Sequence, residues 1–212
     1  MPDKVIIGLT GGIASGKSTV SKLMESYGAT IVDADKIGHL VYEPGTDCLK
    51  DVVKAFGNGI LLSDGSGKLN RPALGDIVFS SPDKLKELNK IVWPHINKEL
   101  KSRMESHKKG VLVVEAAVMI EAGWAKQNSP YNEVWISWVA PEIAKSRLMA
   151  RNNFSEDEAL KRIKSQITNE ERLQHADISI DNNGTEADLK SKITEQWNSL
   201  IERFELNSLS KY

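Results

Sequence analysis

The chain has 212 residues, 40% hydrophobic and 27% charged, and its 28 basic and 29 acidic residues leave a net charge of −1. This is the make-up of one globular unit with insertions, and the charge balance excludes a general electrostatic pull toward nucleic acid or an anionic membrane. A single cysteine, Cys48, excludes an intrachain disulfide. No apolar run reaches the roughly 18 residues of a membrane span. The expectation is a cytoplasmic protein, a monomer, with small-molecule ligands rather than nucleic acid or membrane as partners.

The first element is "VIIGLT" (5–10), a short apolar strand. Its lysine-led start imitates a signal peptide, but the same residues feed a complete phosphate loop. Gly11, Gly16, Lys17 and Ser18 fill the G-x-x-x-x-G-K-[ST] pattern without a gap, and Gly12, Ile13, Ala14, Ser15 and Thr19 complete the loop and the turn after it. Glycines let successive backbone N–H groups wrap phosphate oxygens. Lysine reaches the outer phosphates, serine suits Mg²⁺, and the following helix presents its positive end. ATP with Mg²⁺ is therefore the expected donor.

"ATIVDAD" (29–35) is a second strand, with Asp33 and Asp35 at its carboxyl end. In an open α/β sheet ligands gather there. Asp33 is expected to receive or direct the proton of an attacking hydroxyl, and Asp35 to cap the next helix. A long helical excursion follows, including "CLKDVVKAF", "RPALGDIVF" and a pattern through Leu85, Leu88 and Val92 that Pro94 is expected to break. "GVLVVEAAV" (110–118) and "EVWISWVA" (133–140) are strands, then "PEIAKSRLMARNN" and "SEDEALKRIKSQ" form a helical hairpin, the second helix opening on the Ser155–Glu158 capping pattern. "ADISIDNN" (176–183) is the fifth strand. Leu189, Ile193, Trp197, Leu200, Ile201 and Phe204 mark one face of a last helix, and "ELNSLSKY" is expected to fray. The strands are continuously apolar, as in a parallel sheet covered on both faces.

A GTPase would need an N-K-x-D string, and "NKIV" and "NKEL" both lack the aspartate; "DGSG" (64–67) lies in a turn-like segment. Modest length, an insertion after the second strand and an arginine-bearing hairpin point to a small-molecule kinase. The alternative from another class is a nucleotide-gated interaction protein, which would release no acceptor-dependent ADP. Within the hairpin, basic and acidic residues nearly balance. Arg147 and Arg151 share a helix face by their spacing and so are able to clamp one group jointly.

Together, "GLTGGIASGKSTV", "GATIVDADKIGH", "LNRPALGDIVF" and "ADISIDNNGT" resemble the dephospho-coenzyme A kinase family along nearly the whole chain. The resemblance implies a three-layer P-loop kinase fold: a five-stranded mainly parallel sheet, a helical acceptor-binding insertion and a helical lid. Its divisions are a nucleotide-binding core at 1–40, 105–140 and 173–212, the insertion at 41–104 and the lid at 141–172. It implies ATP as donor and the ribose 3′-hydroxyl of dephospho-coenzyme A as acceptor, with a nucleoside, nucleotide or shikimate kinase as the alternative within enzymes. It also implies roles: Asp33 as base, His39, Arg71 and His95 on the acceptor side, Arg147 and Arg151 as lid arginines, and Asn183 on the nucleotide side. Glu115, at a strand end, is placed to order Mg²⁺ through water, whereas Glu121 suits a cap or a structural pair. "WPHI" and "AAVMIEAGW" depart from the common bacterial strings toward the kinase domain of the eukaryotic bifunctional coenzyme A synthase. "KIGH" (36–39) is the nearest string to that enzyme's adenylyltransferase motif, so that activity is not expected here. Asn152 stands where the family has an aspartate and is given no acidic role.

Overall fold

The computed structural model describes residues 4–125, 129–206 and 209–212. They fall into two compact units, one holding the described residues up to Val32 and from Met104 onward, the other Asp33–Arg103.

The first unit is built on five strands: β1 (Lys4–Gly11), β2 (Thr30–Asp33), β3 (Gly110–Glu115), β4 (Glu133–Trp138) and β5 (Ile178–Asp181). They form a parallel sheet in the order β2-β3-β1-β4-β5, with β1 central, Ile7 opposite both Val113 of β3 and Glu133 of β4. Helices α1 (Lys17–Ser26) and α9 (Glu186–Arg203) supply Val20, Met24, Leu189, Ile193 and Trp197 to a core shared with Val5, Ile7, Leu9, Val113 and Trp135. Trp135 donates its indole N–H to Glu133 (2.8 Å), whose carboxylate also receives Arg203 from α9 at 3.0 Å. Met119 and Tyr131 press on the sheet from elsewhere: a Cβ on Gly8 of β1 would stand 2.8 Å from the Met119 sulfur.

After β4 the chain forms α6 (Pro141–Asn152), α7 (Glu156–Lys164) and the short α8 (Asn169–Leu173). The expected capping box at Ser155 and Glu158 is present. Lys145 ties α6 to α7 by pairing with Glu156 (2.7 Å) and also pairs with Glu142 within α6 (2.8 Å), hydrogen bonds that raise its pKa.

The second unit carries α2 (Ala34–Leu40), α3 (Asp47–Phe56), α4 (Arg71–Phe79) and most of α5 (Pro82–Ser106). Pro94 does not break α5, contrary to the sequence expectation. Proline removes one backbone donor at a cost of about 3 kcal/mol. Leu88, Val92, Ile96, Leu100 and Met104 are all buried along the same helix, and each buried apolar side chain offsets roughly 1.5–3 kcal/mol. "DGSG" is a turn, with Asp64 accepting from the Ser66 N–H at 2.9 Å.

The tail also departs from expectation. Tyr212 stacks on Tyr27 with ring centroids 4.4 Å apart and exchanges two hydrogen bonds with Asn198, while Lys211 pairs with Glu202 at 2.8 Å. Aromatic stacking and paired amide contacts fix 209–212 on α9; residues 207–208 of that stretch lie outside the described residues. Trp197 is fully buried between α9 and the sheet. Trp197→Ala is expected to lower the unfolding free energy by about 3–5 kcal/mol. Urea denaturation checks this, and an unchanged midpoint would contradict the packing described.

Candidate active site

The loop between β1 and α1 turns on two residues with positive φ, Ala14 (58°) and Gly16 (90°). Gly16 is the helix N-cap; it offers no side-chain cap, and no acidic residue occupies the first turn of α1. The helix start thus keeps its backbone donors and positive dipole end for an anion. Lys17 folds back so that its ammonium donates to the Gly11 carbonyl at 3.0 Å.

The loop is held from three sides. The Ser15 carbonyl accepts from Ser137 Oγ of β4 (2.6 Å) and from Asn182 Nδ2, just past β5 (2.8 Å). Arg147 of α6 donates to the Ala14 carbonyl (3.3 Å) and to the Asn182 carbonyl (2.9 Å), so it bridges the loop and the end of β5. Gln166 Oε1, between α7 and α8, accepts from the Ile13 N–H at 2.8 Å. A cavity of about 510 Å³ flanks the loop, lined by Ala14, Gly16, Thr19, Arg147, Arg151 and Asn182. Arg147 and Arg151 therefore do face one space, as their spacing predicts. A second cavity, also about 510 Å³, borders Gly12, Ile13 and Ser15 and is lined by Lys164, Gln166 and Arg172.

Ser18 Oγ donates to Glu115 Oε1 at 3.1 Å, which brings two hard oxygen donors together at the end of β3. Such a pair suits Mg²⁺, one oxygen able to ligate directly and the carboxylate through water. Glu121 pairs instead with Arg172, at 3.5 Å. Burial draws the Arg172 pKa below the usual guanidinium range, opposed by the attraction of Glu121.

Asn183 spends its side chain on structure: Oδ1 accepts from the Ala140 N–H (2.7 Å) and Nδ2 donates to Asp181. Asn182, one residue earlier, is the amide that reaches the loop and lines the cavity. Adjacent asparagines at a strand end give no sequence signal for which turns inward. Gln166 and Arg172 were likewise absent from the expected site, because a nearly balanced charge count over the hairpin singles out neither.

In the second unit, Asp33 and not Asp35 is the N-cap of α2. Its Oδ1 accepts from the Asp35 N–H (2.9 Å) and the Lys36 N–H (3.1 Å), and Oδ2 lies 3.5 Å from Lys36 Nζ. The helix begins at Ala34, so a carboxylate at 33 meets the free N–H groups of the first turn and one at 35 is already inside it. His39 is exposed in the last turn of α2. Arg71 opens α4 and stands over the Tyr42 ring, 5.4 Å from its centre. Burial pushes the Tyr42 pKa up to about 12, Cys48 adds to the rise and Arg71 opposes it. His95 of α5 meets Asp51 of α3 at 3.0 Å. The unit thus brings Arg71 to the end of α2 and joins His95 to α3.

A Cβ at Gly16 would collide with the Asn182 amide, in a backbone conformation that L-residues with side chains rarely adopt. Gly16→Ala is expected to weaken ADP binding by at least about tenfold, equivalent to about 1.4 kcal/mol, with the fold retained. Titration calorimetry beside circular dichroism checks this; unchanged ADP affinity would contradict the loop geometry.

Comparison with known proteins agrees with this arrangement. The family model described as dephospho-CoA kinase matches residues 5–188. The dephospho-CoA kinase of Carboxydothermus hydrogenoformans is 43% identical over 183 residues, 85% of this chain and 86% of that one. That of Geobacter sulfurreducens is 43% identical over 195 residues, covering 91% and 96%. The crystal structure of TT1252 from Thermus thermophilus superposes with a TM-score of 0.76 at 28% identity, covering 93% of this chain and 98% of that one. The dephospho-CoA kinase of Campylobacter jejuni gives a TM-score of 0.68 at 28% identity, covering 93% and 97%. A loop of the phosphate-binding pattern braced by β4, the end of β5 and Arg147 of α6, in a chain matched along most of its length, leads to one conclusion: the chain belongs to the dephospho-CoA kinase family.

Proposed function

We propose that the chain transfers the γ-phosphoryl group of ATP to the ribose 3′-hydroxyl of dephospho-coenzyme A, the last step of coenzyme A biosynthesis. The observation that carries the donor half is Arg147, which bridges the phosphate loop and the end of β5 beside a cavity that Arg151 also lines. Family membership carries the acceptor half.

In the reaction the 3′-oxygen forms a bond to the γ-phosphorus as the bond to the β-bridging oxygen breaks, and ADP leaves. Charge spreads over the transferred oxygens, so catalysis consists of positioning and charge stabilisation. The loop N–H groups and Lys17 hold the β- and γ-phosphates, and Arg147 and Arg151 close over them from the lid. Asp33 accepts or directs the hydroxyl proton; its two backbone hydrogen bonds fix the orientation of its carboxylate. His39, Arg71 and His95 face the acceptor, Arg71 offering a planar cation to its phosphates, and Asn182 rather than Asn183 supports the nucleotide side. Ser18, with Glu115 through water, would hold Mg²⁺, which would supply neutralisation of phosphate charge. The lid spans 141–172, the acceptor-binding insertion 41–104, and the remainder is the nucleotide core. The enzyme works as a cytoplasmic monomer on a small-molecule acceptor; among the described residues no helix is long and apolar enough to cross a membrane.

ADP release is measured with ATP and, in turn, dephospho-coenzyme A, adenosine, AMP or shikimate. Only dephospho-coenzyme A is expected to accelerate it, and stimulation by another acceptor alone would overturn the assignment. Asp33→Asn is expected to lower turnover by roughly 10²–10⁴-fold while ADP still binds. Arg147→Ala is expected to lower it by about 10²–10³-fold. Full activity in either variant removes that residue from the mechanism.

A further inference from the structure

Arg172 is only 2% exposed, yet its guanidinium is incompletely used. Nη1 donates to the Ile167 carbonyl at 3.2 Å. Glu121 lies 3.5 Å from Nη2, too long for a strong charge-assisted bond, and neither Nε nor Nη2 has a hydrogen-bond partner among the described residues. A buried cation kept only for stability would have its donors satisfied, because each unmade buried bond is costly. Such a group belongs to an anion.

Its place says which anion. The guanidinium lies against the start of the phosphate loop: a Cβ on Gly12 would stand 3.3 Å from Nη1. It lines the cavity bordered by Gly12 and Ile13, a different cavity from the one that Arg147 and Arg151 line. The Lys17 ammonium, which serves the outermost phosphates in this loop pattern, also lies at this end, on the Gly11 carbonyl. The transferred group is therefore expected at the Gly11–Ile13 end of the loop. Beside it, the Ile13 N–H is taken by the Gln166 side-chain oxygen, at 2.8 Å. A phosphate oxygen would compete for that same N–H, so Gln166 occupies a phosphate-oxygen position next to an underused arginine.

We propose that Arg172 is a second catalytic arginine, which contacts the γ-phosphoryl group during transfer from the cavity at Gly12 and Ile13, and that Gln166 yields the Ile13 N–H to a phosphate oxygen as the nucleotide seats. Glu121 is the positioning residue: at 3.5 Å it orients the guanidinium without exhausting its donors. The two arginines divide the labour, Arg147 holding the loop and the nucleotide, Arg172 stabilising charge on the moving group. This rests on the kinase reading above.

The test uses the full chain with Arg172→Met, which keeps much of the length without the charge, and Arg172→Lys, which keeps the charge without the fork. Turnover with dephospho-coenzyme A is measured beside the affinities for ADP alone and for ADP with aluminium fluoride, a mimic of the phosphoryl group in flight. Arg172→Met is expected to lose about 10²–10³-fold in kcat and a similar factor in affinity for the fluoride complex. Its ADP affinity should stay within about threefold of the parent, with Arg172→Lys in between. A kcat within about threefold of the parent, or equal losses for ADP and the fluoride complex, overturns the proposal. Should Arg172→Met fail to fold, the same comparison in Arg172→Lys decides it, equal losses again counting against. The unmutated chain separates the two readings. If it does not phosphorylate dephospho-coenzyme A, the function is wrong; if it does and Arg172→Met matches it, only the role of Arg172 is wrong.

Discussion

The donor site depends on one backbone carbonyl. Ser15 turns its C=O into the protein, where Ser137 Oγ and Asn182 Nδ2 both bind it, at 2.6 and 2.8 Å. Pinning that oxygen inward holds the curvature on which the rest of the loop depends. The two donors come from the ends of β4 and β5, so the sheet order β2-β3-β1-β4-β5 is what delivers them. Gly16 follows from the same contact, since any side chain there would strike the Asn182 amide. Arg147 of α6 then bridges the loop and the end of β5, through the Ala14 and Asn182 carbonyls.

Electrostatics follow this geometry rather than the composition. A net charge of −1 says nothing of a phosphate site. The cations around the loop are few and locally placed: Lys17 at the start of α1, Arg147 and Arg151 on one face of α6, and Arg172 buried beside Gly12. In a poorly solvated site a handful of fixed donors outweighs many mobile surface charges. The balanced acidic residues are spent elsewhere, as in the Lys145 pairs that hold α6 against α7.

Much of this was legible beforehand. The continuous apolar runs predicted all five strands, and the gapless loop pattern predicted the turn between β1 and α1, because both express local chemistry. Misreadings arose where distant packing overrode local preference. The sequence predicts a break at Pro94, but the buried stripe from Leu88 to Met104 keeps α5 whole. The tail was read as frayed, but Tyr27 and Asn198 hold it. Asp33 and Asp35 were assigned chemistry and capping respectively; the cap fell to Asp33 because the helix begins one residue after the strand ends. Asn182 and Arg172 carry no sequence signal, since Asn182 binds Ser15 and Arg172 lies against Gly12, each more than 100 residues away, which no spacing rule reaches.

If the Ser15 clamp is what shapes the donor site, removing both of its donors must damage nucleotide binding more than it damages the fold. The direct measurement is the ADP affinity of the double variant Ser137→Ala, Asn182→Ala, against each single variant and the parent. A loss of at least about tenfold is expected in the double variant, with the single effects non-additive because both donors serve one oxygen. An ADP affinity equal to the parent's in the double variant would contradict it.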